Sequence, residues 1–258
     1  MKNLVRRVEE ASMNAWPATH QLLLDGWLVR LSNGFTKRAN CVVPVYEGTD
    51  PSAAALLDKV RYCENLYARE QLQTIFRLTS QAQCHSLDEL LADRGYSVID
   101  KTEVQVLNLV ERTKDNDTAE EQSPEQSELH LLGLPEWLRV YAELAEMPKP
   151  ASQLHQQLIR SIRPDCAFAV LHRNNEPVAC ALGVQEHGLL GLFDVITARN
   201  HRGQGLGGAL LRQLLDWAAD QGVVHAYLQV IASNDTARSL YQGLGFKTLY
   251  RYWYRLTN

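Results

Sequence analysis

ARNHRGQGLGGALLRQLLDWA, Ala198 to Ala218, runs from a polar turn through a glycine-rich loop into a leucine-striped helix. Gly203 to Gly208 spells G-x-G-x-x-G literally, the spacing of a dinucleotide-binding turn. A Walker A loop needs Gly-Lys followed by Ser or Thr, and Gly207-Gly208-Ala209 stands there instead. A Rossmann turn needs an acid at the end of the next strand. That strand ends in Ile231-Ala232-Ser233, and Asp220 sits near a helix end. A third reading needs only backbone. Glycines bring the chain close to a phosphate, and a helix N-terminus offers unpaired N–H groups with partial positive charge. Arg202 adds a fork matched to phosphate oxygens. A plain strand-to-helix turn, using glycine for tight packing, accounts for the same residues.

Outward from the loop the pattern alternates. Leu206, Leu210, Leu214 and Trp217 form one helical stripe, which Leu211 and Leu215 widen, as for a helix lying on a sheet. Gly222 stops it. A strand over 224–233, a short helix over 234–245 and an aromatic strand over 246–256 follow. Upstream stand strands at 189–197, 177–186 and 166–174, the last two flanking the turn Asn174-Asn175-Glu176. Helices are predicted over 135–147, with Pro135 in the first turn, and over 151–162, where Leu154, Leu158, Ile159 and Ile162 keep a helical period. A strand over 127–134 precedes them.

Residues 111–128, ERTKDNDTAEEQSPEQSE, are almost wholly polar and read as a linker. Charge divides at the same place, with 14 Lys and Arg against 20 Asp and Glu in 1–128, and 12 against 10 in 129–258. The N-terminal half repeats much of the pattern: a hairpin over 26–45, a helix from Asp50-Pro51 to Glu70, and a strand over 73–80. A helix over 86–96 and a strand over 97–109 complete it. Arg94-Gly95-Tyr96 matches Leu244-Gly245-Phe246 at an offset of 150, which points to two copies of one unit. The chain is expected to be α/β in the broad sense (α+β), with domains at 1–110 and 129–258 joined by the linker.

Arg202-x-x-Gly205-x-Gly207 resembles the coenzyme A loop of the GCN5-related N-acetyltransferases (GNAT). Asn234-x-x-Ala237-x-x-Leu240-Tyr241 and then Leu244-Gly245-Phe246 resemble that family's downstream element. The resemblance covers Leu129 to Asn258. It implies two GNAT-like mixed sheets flanked by helices, the C-terminal one complete and the N-terminal one degenerate. It also implies a splay between strands 189–197 and 224–233 that takes the pantetheine arm of acetyl-CoA, the co-substrate. Backbone groups of Val195, Ile196 and Thr197 would pair with that arm like an added strand. Arg202, Gly203, Gln204, Gly205, Leu206, Gly207 and Gly208 would hold the pyrophosphate, and Asn234 would contact the arm. His201 reads as one more phosphate contact or as an exposed loop residue.

The resemblance implies acetyl transfer to a primary amine of a small molecule or a protein by direct attack, with Tyr241 as general acid. A coenzyme A-binding sensor or interaction module without turnover is the alternative, and a packing tyrosine is the alternative for Tyr241. The chemistry requires a neutral amine and a protonated thiolate leaving group. A phenol with an ordinary pKa of about 10 stays protonated and can donate. In the ribosomal-protein alanine acetyltransferases an L-E-V strand carries the basic glutamate. Here Leu228-Gln229-Val230 stands in its place, and Gln229 takes no proton. Asp194, Glu186, His187 or a water chain remain as bases.

In the N-terminal half, Leu91 stands in place of Tyr241 and Cys84 in place of Asn234. Tyr46-Glu47-Gly48-Thr49-Asp50-Pro51 replaces the phosphate loop, and Asp50 is expected to cap the helix with its own carboxylate. This half is expected to bind no coenzyme A and to shape the acceptor pocket. Gly34 to Asn40 either reaches that pocket, with Lys37 or Arg38 meeting an anionic group, or is a solvated turn. The aromatic tail Tyr250 to Tyr254 reads as core, interface or part of the acceptor site.

Hydrophobic residues make up 45% and charged residues 22% of the 258 residues, an ordinary soluble globular composition. A net charge of −4 argues against general nucleic-acid binding. The N-terminus reads as no secretory signal, and no apolar run approaches a membrane span. Five widely spaced cysteines without C-x-x-C, and eight histidines without H-x-x-x-H, favour free thiols in a cytoplasmic protein without metal. A monomer or a homodimer is expected.

Overall fold

The computed structural model describes residues 2–80, 85–112 and 127–257. Most of the expected linker, and Cys84, lie outside the described residues. The N-terminal half runs α1 (Lys2–Ala15), β1 (His20–Leu24), β2 (Trp27–Leu31), β3 (Val42–Pro44), α2 (Ala53–Arg69), β4 (Ile75–Thr79), α3 (His85–Asp93) and β5 (Ser97–Asn108). The C-terminal half runs β6 (Ser127–Leu131), α4 (Leu134–Leu144), α5 (Lys149–Ser161), β7 (Asp165–Arg173), β8 (Glu176–Glu186) and β9 (Leu189–Thr197). It ends with α6 (Leu206–Asp220), β10 (His225–Ile231), α7 (Asp235–Gly243) and β11 (Lys247–Leu256).

The elements α1 and β1 add to the expected set. The buried stripe of α1 is built from the small residues Val8, Ala11 and Ala15, a weak helical signal. The expected hairpin over 26–45 is β2 against β3, from Trp27↔Pro44 to Val29↔Val42. β1 pairs on the other side of β2 through a tight turn at Asp25 and Gly26, both at positive φ. One expected cap is corrected. Helix α2 starts at Ala53, and Ser52 caps it by accepting the Ala55 N–H (3.2 Å). Asp50 instead accepts the Ser52 N–H (2.8 Å), a turn that orients the cap from outside the helix.

The strands among the described residues form one mixed sheet of eleven, in the order β1-β2-β3-β4-β11-β5-β10-β9-β8-β7-β6. Where the duplication leads one to expect two sheets, the halves are fused by exchange of their last strands. β11 pairs with β4 of the N-terminal half, and β5 pairs with β10 of the C-terminal half, both antiparallel. β11 and β5 pair with each other in the middle. The parallel pairs β3–β4 and β9–β10 stand in equivalent places on either side of this centre. This is a domain swap carried out within one chain.

Three apolar clusters follow from the alternation of side chains across the sheet. One packs α6 onto β7–β10, with Leu210, Leu211, Leu214 and Leu215 fully buried. Each such leucine contributes roughly 2 kcal/mol, enough to hold the start of α6 firmly against β9. A second joins α2 and α3 to β2 and β4. The third, on the opposite face, crosses the halves: Val8, Ala15 and Trp16 of the N-terminal segment meet Trp137, Leu158, Phe193 and Tyr250. No helix among the described residues is long and apolar enough to cross a membrane.

A buried ion pair fixes α1 to the sheet. Arg77 of β4 donates to both Glu9 oxygens (2.6 and 2.7 Å), and the Tyr250 hydroxyl donates to Glu9 as well. Burial alone would push the Glu9 carboxyl up, but Arg77, Tyr250 and Arg30 overcome it and hold it below its ordinary value. A folded-state pKa below the unfolded one means stability that is present above the unfolded value and lost as pH falls through the folded value. Glu9→Gln, which leaves Arg77 without its counter-charge, is expected to lower stability by about 3 kcal/mol in urea unfolding at neutral pH. The difference from wild type should shrink as the pH is taken down into the carboxylate range. A constant difference would contradict this.

Candidate active site

β9 and β10 pair in parallel from Leu189↔His225 to Leu192↔Leu228 and then diverge. β9 goes on pairing with β8, through Ile196↔Cys180 and Thr197↔Ala179, past a register shift. Within that irregularity Asp194 stands at φ +49°, a bulge of the kind that re-aims a side chain. Beyond Leu192, the edge of β9 that faces β10 borders a cleft.

The glycine loop closes one end of this cleft. Gly203 and Gly205 both adopt φ +75°, and a Cβ at either would meet open space. The backbone conformation, rather than crowding, is what requires glycine there. Gly205 caps α6 in the left-handed conformation, and Ala209 N–H makes the bond back to Gly205 C=O (3.0 Å). The N–H groups of Leu206, Gly207 and Gly208 therefore precede the helical ladder. At Gly207 a Cβ would lie 3.2 Å from Thr197 Oγ1, so glycine lets α6 start close to the end of β9. Arg202 Nε donates to Thr197 C=O (3.2 Å), which ties the guanidinium to that strand end.

Val195, Ile196, Thr197, Arg202, Gly203, Gly205, Leu206, Gly207, Gly208, Asn234 and Tyr241 line one cavity of about 620 Å³. Among the residues expected to hold phosphate, Gln204 is turned elsewhere. Its amide accepts from Arg173 (2.8 Å) and donates to Asn200 C=O (3.3 Å). Asn234 caps α7 by accepting the Ala237 N–H (3.1 Å), which leaves its NH₂ as the group it can offer the cavity. His201, half-buried, also lines the cavity, and its buried Nδ1 has no partner among the described residues.

A second cavity of about 410 Å³ adjoins the first, and Tyr241 and Val195 line both. Burial pushes the Tyr241 hydroxyl up to about 12, so it stays protonated through the neutral range. Gln229, in the position of the missing glutamate, lines this cavity and accepts the Tyr252 hydroxyl (2.9 Å). Asp194 lines it too, with Oδ2 2.7 Å from His155 Nε2 and Oδ1 accepting from Tyr141 (3.4 Å). The ring of His155 stacks on Tyr141 at 4.5 Å and is buried beside Trp137, Trp16 and Phe35. Glu186 and His187, the other expected bases, stand in the β8–β9 turn. There Asn14 donates to Glu186 and Arg7 to His187 C=O, tying the turn to α1. Among the described residues no group of three or more His, Cys, Asp or Glu is placed to hold a metal ion.

The equivalent region of the N-terminal half differs. At the Tyr241 position Leu91 is fully buried in the α2–α3 cluster. In the loop before α2, the Asp25 carboxylate accepts the Thr49 N–H (2.9 Å) and its hydroxyl (3.0 Å) and pairs with Lys59 (3.2 Å). A protein carboxylate thus occupies the loop where a phosphate would need donors, and Asp50 stands beside it.

Trp16 of the second cavity, and His155 behind its Asp194, were not singled out by sequence reasoning. Trp16 sits at the end of the unforeseen α1. His155 follows Leu154 in a recognised helix, on the same face as Leu158, Ile159 and Ile162. A histidine on an apolar stripe was the available signal, and its partner Asp194 lies 39 residues away.

The family model described as "Probable histone acetyltransferase Rv0428c C-terminal" matches residues 3–255. The chain is 27% identical, over 98% of both chains, to a Bacillus subtilis protein named "Uncharacterized N-acetyltransferase YobR". Among solved structures it resembles a GCN5-related N-acetyltransferase from Kribbella flavida, with a TM-score of 0.73 and 16% identity, over 98% of this chain and 95% of that one. It also resembles a tandem GNAT protein of the clavulanic acid biosynthesis pathway, with a TM-score of 0.66 and 13% identity, over 84% and 74%. The mixed sheet flanked by helices is therefore the GNAT fold.

The loop geometry carries its own test. Gly205→Ala has room for the methyl but not the backbone conformation, and is expected to cost about 1–2 kcal/mol in thermal or urea unfolding. An unchanged stability would contradict the strict need for a left-handed cap.

Proposed function

Because the chain belongs to this acetyltransferase family, we propose that its two joined cavities carry acetyl transfer from acetyl-CoA to a primary amine. The observation that carries the reading is Tyr241, a protonated phenol standing where the two cavities meet.

The residues of the larger cavity fit the coenzyme. Left-handed glycines, the open N–H groups at the start of α6 and Arg202 form a donor-rich cradle suited to a pyrophosphate. The edge at Val195–Thr197 that β10 leaves uncovered suits the amide-bearing arm as an added strand. When bound, the coenzyme supplies an acetyl group activated as a thioester.

The chain's own residues then handle the protons. Asp194, oriented by His155 and Tyr141, accepts a proton from the amine, either directly or through a water. Gln229 cannot, and its hydrogen bond from Tyr252 makes it a wall of the acceptor site. The amine nitrogen forms its bond to the acetyl carbon as the carbon–sulfur bond breaks. Tyr241 holds the proton that goes to the sulfur. The phenol stays protonated through the neutral range, and the phenolate left after the transfer takes a proton back from solvent. The acceptor is an amine small enough to enter a cavity of about 410 Å³.

A thiol-release assay over a panel of amines tests the reading. Asp194→Asn and Tyr241→Phe are each expected to lower kcat by about 10²–10⁴-fold while acetyl-CoA affinity stays close to wild type. Wild-type turnover in Tyr241→Phe would remove that residue from the mechanism. Tight coenzyme binding with no turnover of any amine would favour a coenzyme-binding module instead.

A further inference from the structure

The segment between β2 and β3 is the N-terminal half's contribution to the smaller cavity, and it is a built structure. Asn40, nearly fully buried, accepts the Ser32 and Gly34 N–H groups (2.6 and 3.1 Å) and donates to Phe35 and Thr36 C=O (2.9 Å each). Buried Arg30 donates to Arg38 C=O (2.8 Å) and to Trp16 C=O, which pins the loop to the end of α1. The indole N–H of Trp16 donates to Thr36 Oγ1 (3.1 Å), and Thr36 is held at φ +61°. The solvated-turn reading of Gly34 to Asn40 does not describe this loop.

The loop places two cations at the cavity, Lys37 and Arg38. Lys37 Nζ already pairs with Asp100 of β5 at 2.9 Å. Arg38 has no carboxylate within ion-pair distance among the described residues. Its guanidinium lies over the rings of Trp16 (5.4 Å) and Phe193 (5.8 Å), which themselves stack. Its Nε is buried with no hydrogen-bond partner among the described residues. The Tyr252 hydroxyl acts on the guanidinium as a hydrogen-bond partner, and the Tyr254 hydroxyl and the Asp194 carboxylate act on its charge from further off. A guanidinium that rests on rings and hydroxyls with no carboxylate paired to it keeps a charge and fork geometry that an oxyanion can complete. One end of the cavity therefore presents a carboxylate and the other a fork of positive charge.

We propose that Arg38 receives an oxyanion carried by the acceptor itself. The substrate is then a small amine bearing its own carboxylate or phosphate, docked with its nitrogen toward Asp194 and its oxyanion on Arg38. This rests on the smaller cavity being the acceptor site of the proposed acetyl transfer. Arg38 is then a specificity residue supplied by the half that lacks a coenzyme site of its own.

Matched pairs of acceptors test it: L-alanine against ethylamine, L-lysine against cadaverine, and O-phosphoethanolamine against ethanolamine. Thiol release and calorimetric binding to the protein saturated with coenzyme A are both read, on wild type, Arg38→Lys and Arg38→Gln. In at least one pair, wild type should prefer the oxyanion-bearing member, and Arg38→Gln should raise its KM by about 30-fold with little change in kcat. Turnover of the neutral member should stay the same, a split that a merely structural role would not produce. Arg38→Lys should restore part of the loss, and the preferred pair distinguishes carboxylate from phosphate. Equal loss for both members of each pair, or no binding of any oxyanion-bearing amine, overturns the proposal. Binding of such an amine that depends on Arg38, without turnover, supports the anchor and overturns the acetyl-transfer reading instead.

Discussion

Parallel pairing between β9 and β10 ends at Leu192 and Leu228, and the site depends on that ending. Two strands that stayed paired would leave no cleft. By diverging, they give β9 an edge of backbone groups whose hydrogen bonds a ligand can complete. The bulge at Asp194 belongs to the same event, since the register shift re-aims that carboxylate into the smaller cavity. The start of α6 is held against the end of β9 by Gly207 on Thr197 and by the leucines beneath it. The glycine loop is thereby set at one end of the opening and Tyr241 at its middle.

The exchange of last strands gives the N-terminal half a part in the smaller cavity. β5 covers the edge of β10 that would otherwise be open, and its residues Asp100 and Thr102 line the smaller cavity. β11 crosses back to β4 and places Tyr252 and Tyr254 in the same wall. The loop carrying Arg38 and the end of α1 complete it from the opposite face. The smaller cavity is thus assembled from both halves, whereas the larger one is lined by the C-terminal half. Under the proposed reading, divergence of the first copy is an adaptation. Leu91 and Asp25 fill its own cleft and loop, and its remaining parts serve the neighbouring site.

What the sequence made legible follows from range. The loop, the stripe of α6 and the turn at Asn174-Asn175 are local patterns, and they fold as read because their geometry is set within a few residues. The turns at Gly95 and Gly245, both at positive φ, end their helices as read for the same reason. Strand exchange leaves no local mark. β5 and β11 look alike whether each pairs within its own half or across, so the fusion into one sheet was not visible. His155 and Asp194 meet only through the packing of α5 on the sheet. The stretch with Lys37 and Arg38 reads from sequence either as reaching the pocket or as a solvated turn. The separation of Arg38 from Lys37 required the position of Asp100, which pairs with one and not the other. The cap of α2 was misread because Asp50 and Ser52 are both good caps, and the choice between them depends on where the helix begins.

A crystal structure of the protein with acetyl-CoA tests the central claim most directly. The account predicts one coenzyme per chain, its pyrophosphate on Gly203–Gly208 and its arm along Val195–Thr197. Its acetyl group should point past Tyr241 into the cavity that Asp194 and Arg38 share. A coenzyme bound between β3 and β4, or one whose acetyl group faces away from that cavity, would contradict it.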